Sequence, residues 1–180
     1  MKNFSVKVDG KEYWVSRSVA VVCMVIKRVN NRLYILAEKR GKGAADNIGK
    51  WCMPCGYLDY DETLNDACSR EVFEETGISL PSENFKQISI NSDPSENHQN
   101  VSIRYCCLAP AFAEPDLGKA FGGEKDEVEY VMWVPVGNFE NQNFEFNSNM
   151  VDSFSWAFNH KDRIKSDIEK VVDELFNKNK

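Results

Sequence analysis

Three glutamates, Glu71, Glu74 and Glu75, stand at i, i+3 and i+4, a spacing that on a helix puts Glu71 beside each of the others. Like charges so placed cost an isolated helix roughly 0.2–0.5 kcal/mol per pair. Near a helix C-terminus the macrodipole disfavours them further. A hard divalent cation reverses that balance, because magnesium takes a few carboxylate oxygens and completes its shell with water and substrate phosphate. A solvated acidic face is the ordinary alternative for such a cluster. The helix itself is legible: Leu64, Ala67, Cys68 and Val72 recur three to four residues apart from Thr63 onward, and Gly77 suits its left-handed end.

The acidic triplet belongs to a longer pattern. Gly56, five residues, Glu62, seven residues and then Arg70-Glu71-Val72-Phe73-Glu74-Glu75-Thr76-Gly77-Ile78 resembles the Nudix box. The resemblance implies a loop-helix-loop that binds Mg2+ or Mn2+ together with a diphosphate linked to a second moiety, X. It makes Glu71, Glu74 and Glu75 metal ligands, joined by the Gly56 carbonyl and supported by Glu62 from the loop. Arg70 pairs with these carboxylates and orients them. The implied chemistry is attack of water on phosphorus, with the metal polarising phosphoryl oxygens and acidifying bound water. One departure precedes the box: the family commonly has Pro-Gly-Gly where this chain has Pro54-Cys55-Gly56.

Substrate and base are sought around the box. A basic, glycine-containing loop runs from Lys39 and Arg40 to Lys50 and leads into Trp51. It reads either as a solvated connection or, on the resemblance, as a phosphate-contacting segment using Arg40 and Lys50. Trp51, Tyr57 and Tyr60 offer rings for stacking a base, or for packing. In the family the catalytic base is often a carboxylate outside the box, which makes Glu124 and Glu127 candidates, and Glu71 within the box is the third; reach to the attacking water decides among them. Pro94 lies sixteen residues beyond Ile78, the kind of position at which ADP-ribose-hydrolysing members carry a proline. The leading reading is a metal-dependent hydrolase of a nucleoside diphosphate linked to X, ADP-ribose or a related nucleotide sugar foremost. Its rivals are a house-cleaning nucleoside triphosphate pyrophosphatase and a nucleotide-sensing domain without turnover.

Alternation and turn signals outline the elements that must carry these residues. Phe4–Val15 around Asp9-Gly10 predicts a β-hairpin packed on the main domain. Strands follow at Val19–Ile26, Leu33–Glu38, Phe85–Ile90, Val101–Ala109 and Glu127–Pro135, with residues 110–126 as a loop covering a pocket. The strand at 127–135 puts Glu127, Glu129, Val131 and Trp133 on one face and Val128, Tyr130, Met132 and Val134 on the other. Ile164, Ile168, Val171, Val172 and Leu175 mark a helix over about 160–177, preceded by Trp156–His160. The expectation is one α/β domain over 1–180, a Nudix α/β/α sandwich with a mixed sheet and an N-terminal hairpin about 4–15.

With 180 residues, 42% of them hydrophobic, one sizeable core is affordable. A net charge of −6 gives no general attraction for nucleic acid or anionic membrane. No stretch is apolar for the ~18 residues a membrane span needs, so a cytoplasmic protein is expected. The six cysteines, Cys52-Met53-Pro54-Cys55 included, read as reduced, partly buried thiols. Family habit suggests a homodimer.

Overall fold

The structure, a computed structural model, describes residues 3–120, 123, 126–138 and 161–177. Seven strands build a mixed sheet in the order β5 (Trp51–Cys52), β4 (Arg32–Arg40), β3 (Ser18–Val29), β8 (Asn100–Leu108), β7 (Lys86–Asn91), while β6 (Cys55–Tyr57) pairs with β3 and β9 (Val128–Asn138) with β4. The β3–β8 pair is parallel and the others are antiparallel.

Both faces of β3 are covered, which explains why its sequence is a continuous apolar run rather than an alternating one. Val22, Met24 and Ile26 join Ile168, Val171 and Val172 of α2 (Lys161–Val172) in one core cluster. Val21, Cys23 and Val25 join Ala67, Cys68 and Val72 of α1 (Leu64–Thr76) in the other. The result is the expected three-layer α/β/α arrangement.

Helix α1 begins where the Thr63 side chain accepts a hydrogen bond from the Asp66 N–H, and it ends at Gly77, whose φ is 71° and whose N–H reaches the Phe73 carbonyl. Asp9 and Gly10 both have positive φ, 50° and 79°, so the first hairpin turns as the dipeptide dictates. Its placement differs from expectation. Every residue of β1 (Phe4–Val8) and β2 (Lys11–Val15) is exposed, Trp14 by 74%, and the pair forms a two-stranded sheet of its own. Cross-strand contacts such as Phe4 with Val15 and Val6 with Tyr13 satisfy the alternation without a third layer beneath it.

Strand β9 also departs from simple alternation. Its register against β4 shifts between Lys39 and Arg40, so Val128 packs with Val131 and Trp133 in the α1-side cluster instead of facing the opposite side. All six cysteines are free thiols, Cys55 half-buried and the other five buried. The segment Trp156–His160 lies outside the described residues.

Candidate active site

Helix α1 does not present its acidic residues to water. Glu71 is 8% exposed and Glu75 2%, on the same side as Ala67, Cys68 and Val72, so the solvated-face alternative fails for two of the three. Arg70 supplies the charge that local helix physics lacks. Its Nη1 donates to Glu71 Oε1 at 2.7 Å and to Glu74 Oε2 at 3.0 Å, its Nη2 to Glu62 Oε1 at 2.6 Å and the Tyr57 carbonyl at 3.0 Å, and its Nε to Glu62 Oε2 at 3.0 Å. This forked grip holds the Glu62 carboxyl below its usual range, with the Asp59 N–H adding to it at 2.8 Å.

Gly56 is where the loop meets the helix. A Cβ there would stand 2.0 Å from Glu71 Oε1, so only glycine lets that carboxylate lie against the backbone. Next to it, the Cys55 N–H donates to Glu75 Oε2 at 2.8 Å. The side chain at position 55, where the family commonly has glycine, thus coexists with a close approach of backbone to carboxylate.

A fifth acid, unsuspected from the sequence, sits behind this group. Glu38 on β4 is fully buried, accepts a hydrogen bond from the Cys52 thiol at 3.2 Å, and leaves Oε2 without a donor. Leu36 and Glu38, two apart on a strand, share a face, and this parity with a core residue was the available signal. Burial pushes Glu38 up to about 7 and Glu71 also to about 7, Arg70 opposing the shift at Glu71 while Glu74 and Glu127 add to it. Burial, and then the Glu38 charge, push Glu75 well above the carboxylate range.

Across from the helix, the loop after β4 is pinned to the start of β9. The Gly41 N–H donates to the Glu127 carbonyl at 2.6 Å and the Gly43 N–H to the Asp126 carbonyl at 2.9 Å. A Cβ on Gly41 would lie 2.3 Å from the Asp126 carbonyl oxygen. Glu127 consequently lines a cavity of about 170 Å3 together with Arg40, Asp46, Gly56, Tyr57, Ala20 and Asn100. Arg40, 8% exposed, is held by its Nε on the Asp46 carbonyl at 3.0 Å and by an ion pair to the Asp46 carboxylate at 3.4 Å.

The structure therefore gathers Glu62, Arg70, Glu71 and Glu74 into one network, sets Glu75 on the adjoining Cys55 N–H, and places Arg40, Gly56, Tyr57 and Glu127 around one cavity. Lys50 and Trp51 are not in that lining: Lys50 is exposed, and Trp51 packs edge-on against Tyr130 at 6.1 Å between centroids. Tyr60 is almost wholly exposed. Glu124 lies outside the described residues. The 110–118 loop does border a depression, of about 830 Å3, beside Lys27, Tyr34 and Trp133, but none of the box residues lines it.

These donors fit a hard divalent ion. They are carboxylate oxygens and a carbonyl, cradled where a Cβ would collide, with an orphaned acceptor on Glu38 close behind. Among the described residues no three acidic, histidine or cysteine side chains already stand at metal-binding distance. Arg70 instead bridges Glu62, Glu71 and Glu74 as their countercharge.

Comparison with known proteins follows the same line. The family model described as NUDIX domain matches residues 16–156. Nudix hydrolase 2 of Arabidopsis thaliana is 28% identical over 131 residues, 72% of this chain and 43% of that protein. The chain spans about two-fifths of the length of the curated relatives it matches. Among solved structures, a MutT/nudix family protein from Enterococcus faecalis has a TM-score of 0.67 at 20% identity, covering 89% of this chain and 64% of that one. A bifunctional NMN adenylyltransferase/ADP ribose pyrophosphatase from Francisella tularensis, complexed with AMP and a Mn ion, has a TM-score of 0.59 at 24% identity, covering 87% and 42%. The likeness to these structures is one of fold, and the profile, which extends over most of the sequence, says whose fold it is: the chain belongs to the Nudix family.

Proposed function

We propose that this protein is a divalent-metal-dependent hydrolase that cleaves the phosphoanhydride of a nucleoside diphosphate linked to X, with ADP-ribose or a related nucleotide sugar as its substrate. The observation that carries this reading is the Glu71 carboxylate seated against the Gly56 backbone, with Glu127 facing the same cavity. The Francisella tularensis neighbour, an ADP ribose pyrophosphatase in one of its two activities, supports the substrate class.

Glu71, Glu74 and Glu75, with the Gly56 carbonyl and Glu62 in support, would hold Mg2+ or Mn2+. Bound there, the ion polarises phosphoryl oxygens and lowers the pKa of a water. Arg70 holds Glu62, Glu71 and Glu74 together as their countercharge, so that the three carboxylates would be in place for the ion. Glu127 is the base this reading prefers, because it lines the cavity beside Gly56, and its charge is felt at Glu71. Arg40 meets a phosphate and Tyr57, half exposed, stacks on the nucleoside. Lys50 and Trp51 take no direct part. A homodimer located in the cytoplasm, without nucleic-acid or membrane partners, completes the proposal; among the described residues no helix is long and apolar enough to cross a membrane.

Incubation with ADP-ribose, other nucleotide sugars and deoxynucleoside triphosphates in Mg2+, with products separated by chromatography, tests this. AMP plus ribose 5-phosphate is the expected outcome, abolished by EDTA and reduced ~10²-fold or more by Glu74→Gln. Pyrophosphate released from triphosphates alone would transfer the protein to the house-cleaning class. Binding without turnover of any substrate would make it a sensor.

A further inference from the structure

Loop 41–50 joins β4 to β5 and is stitched shut at its base, where the Arg40 N–H donates to the Lys50 carbonyl at 2.9 Å and the Gly49 N–H to the Arg40 carbonyl at 2.7 Å. Asn47 and Gly49, with φ of 51° and 77°, supply the left-handed backbone of this closure. The closure carries Asp46 onto the guanidinium of Arg40. The Asp46 carbonyl accepts from Arg40 Nε at 3.0 Å, and Asp46 Oδ1 stands 3.4 Å from Arg40 Nη2. The backbone bond fixes where residue 46 lies, so its carboxylate stays beside Arg40 although the side chain is 63% exposed.

Charge at this spot is one-sided. Among the described residues that line the cavity of about 170 Å3, Arg40 is the one cation, and the acids Asp46 and Glu127 line it too. The neighbouring lysines do not relieve Asp46, because Lys39 pairs with Glu129 at 2.7 Å and Lys42 with Asp126 at 3.3 Å. A phosphate oxygen taken up by the Nη groups of Arg40 therefore comes next to a carboxylate that already shares Nη2. Their repulsion grows with the charge on the phosphate. A terminal phosphate carries close to two negative charges above its second pKa of about 6, whereas a phosphate esterified on both sides carries one. Arg40 and Asp46 together are neutral, so the singly charged phosphate is the one they repel less.

We propose that Asp46 is a specificity-determining residue, whose carboxylate beside Arg40 disfavours nucleotides that end in a free phosphate and so favours a diphosphate esterified at both ends. The proposal rests on the reading of Arg40 as a phosphate contact. It supplies what would separate a nucleoside diphosphate linked to X from a free nucleoside diphosphate or triphosphate at that contact.

Titration calorimetry of the full chain at pH 8 in EDTA, with ADP-ribose and with ADP, tests it. ADP is the same nucleotide with its outer phosphate left free. Asp46→Asn keeps the shape and removes the charge. It should lower the ratio of the ADP dissociation constant to that of ADP-ribose about three- to fivefold at low ionic strength, the range of an exposed charge pair. Most of the change should come from tighter ADP binding, and it should fade in high salt. An unchanged ratio would overturn the proposal, as would a shift that persists in high salt. A loss of affinity shared by both ligands would also sink it, by making Asp46 no more than a support for Arg40. Should Asp46→Asn melt early, Asp46→Ser gives the same comparison. Because the titration needs no turnover, the two readings fail separately. A shifted ratio without hydrolysis of any substrate in Mg2+ removes the catalytic reading alone, and hydrolysis of ADP-ribose with an unchanged ratio removes the role of Asp46 alone. Wild-type protein that binds neither nucleotide would remove Arg40 as a phosphate contact and Asp46 with it.

Discussion

A methyl group at position 56 would fall 2.0 Å from Glu71 Oε1 and 2.2 Å from its carboxyl carbon. The atoms it meets are the far end of a flexible side chain, so the carboxylate yields before the backbone does. Gly56→Ala should therefore cost activity about a hundredfold through a misplaced metal ligand, while the melting temperature moves by only a few degrees. Steady-state rates and a melting curve on the same preparation check this. The buried carboxylates make a second prediction at this scale. Glu38 and Glu71 rise from 4.5 to about 7 on folding, so between those values the folded protein binds more protons than the unfolded chain. Their contribution to stability is present below about 4.5 and lost as the pH climbs through 7. Metal-free protein should melt at a lower temperature at pH 8 than at pH 5. Added Mg2+ should recover more of the loss at pH 8, where the ligands are ionised, than at pH 5. Melting curves in EDTA and in MgCl2 at the two pH values measure both halves.

Helix α1 is stopped by geometry on both sides of its last turn. Gly77 has a φ of 71°, and a Cβ on it would come within 2.1 Å of the Asp116 carbonyl oxygen, whose own N–H is bonded to the Thr76 carbonyl at 2.9 Å. Here the obstacle is backbone, which cannot swing aside. Gly77→Ala should destabilise the fold by at least about 1–2 kcal/mol, a fall of several degrees in Tm, and leave KM for the substrate unchanged. Chemical denaturation together with kinetics reads the two effects separately. The bulge between β4 and β9 works at the same scale: one extra residue turns Val128 inward and lets the chain leave the sheet with Glu127 against the cavity.

Over the whole molecule, stability is uneven. The sheet strands β3 and β4 carry two core clusters, while the hairpin of β1 and β2 has every residue exposed. A two-stranded sheet alone is marginal in water. Amides of residues 4–15 should exchange with deuterium far faster than those of 20–26 and 33–38, which a mass-spectrometric exchange experiment on the intact chain resolves. Protection of the hairpin comparable to that of the sheet would show that something covers it.

How far these features could be read in advance differs by kind. Short-range patterns spelled out α1, its cap at Gly77, the Asp9-Gly10 turn and the longer strands to within a few residues, though not the short β5 and β6, because spacing and local backbone preference act between neighbours in the chain. Spacing alone grouped Glu71, Glu74 and Glu75, and the resemblance to the Nudix box added Glu62 and Arg70 to them. What required the folded molecule was burial and the meeting of distant segments. Glu71 and Glu75 turned from a surface stripe into buried acids only when α1 lay on the sheet. Glu38 from β4 arrived behind them, and Lys50 and Trp51 fell outside the cavity while Arg40 stayed in it. Desolvation and contact across long stretches of chain are properties of packing, and no local pattern of residue types encodes them.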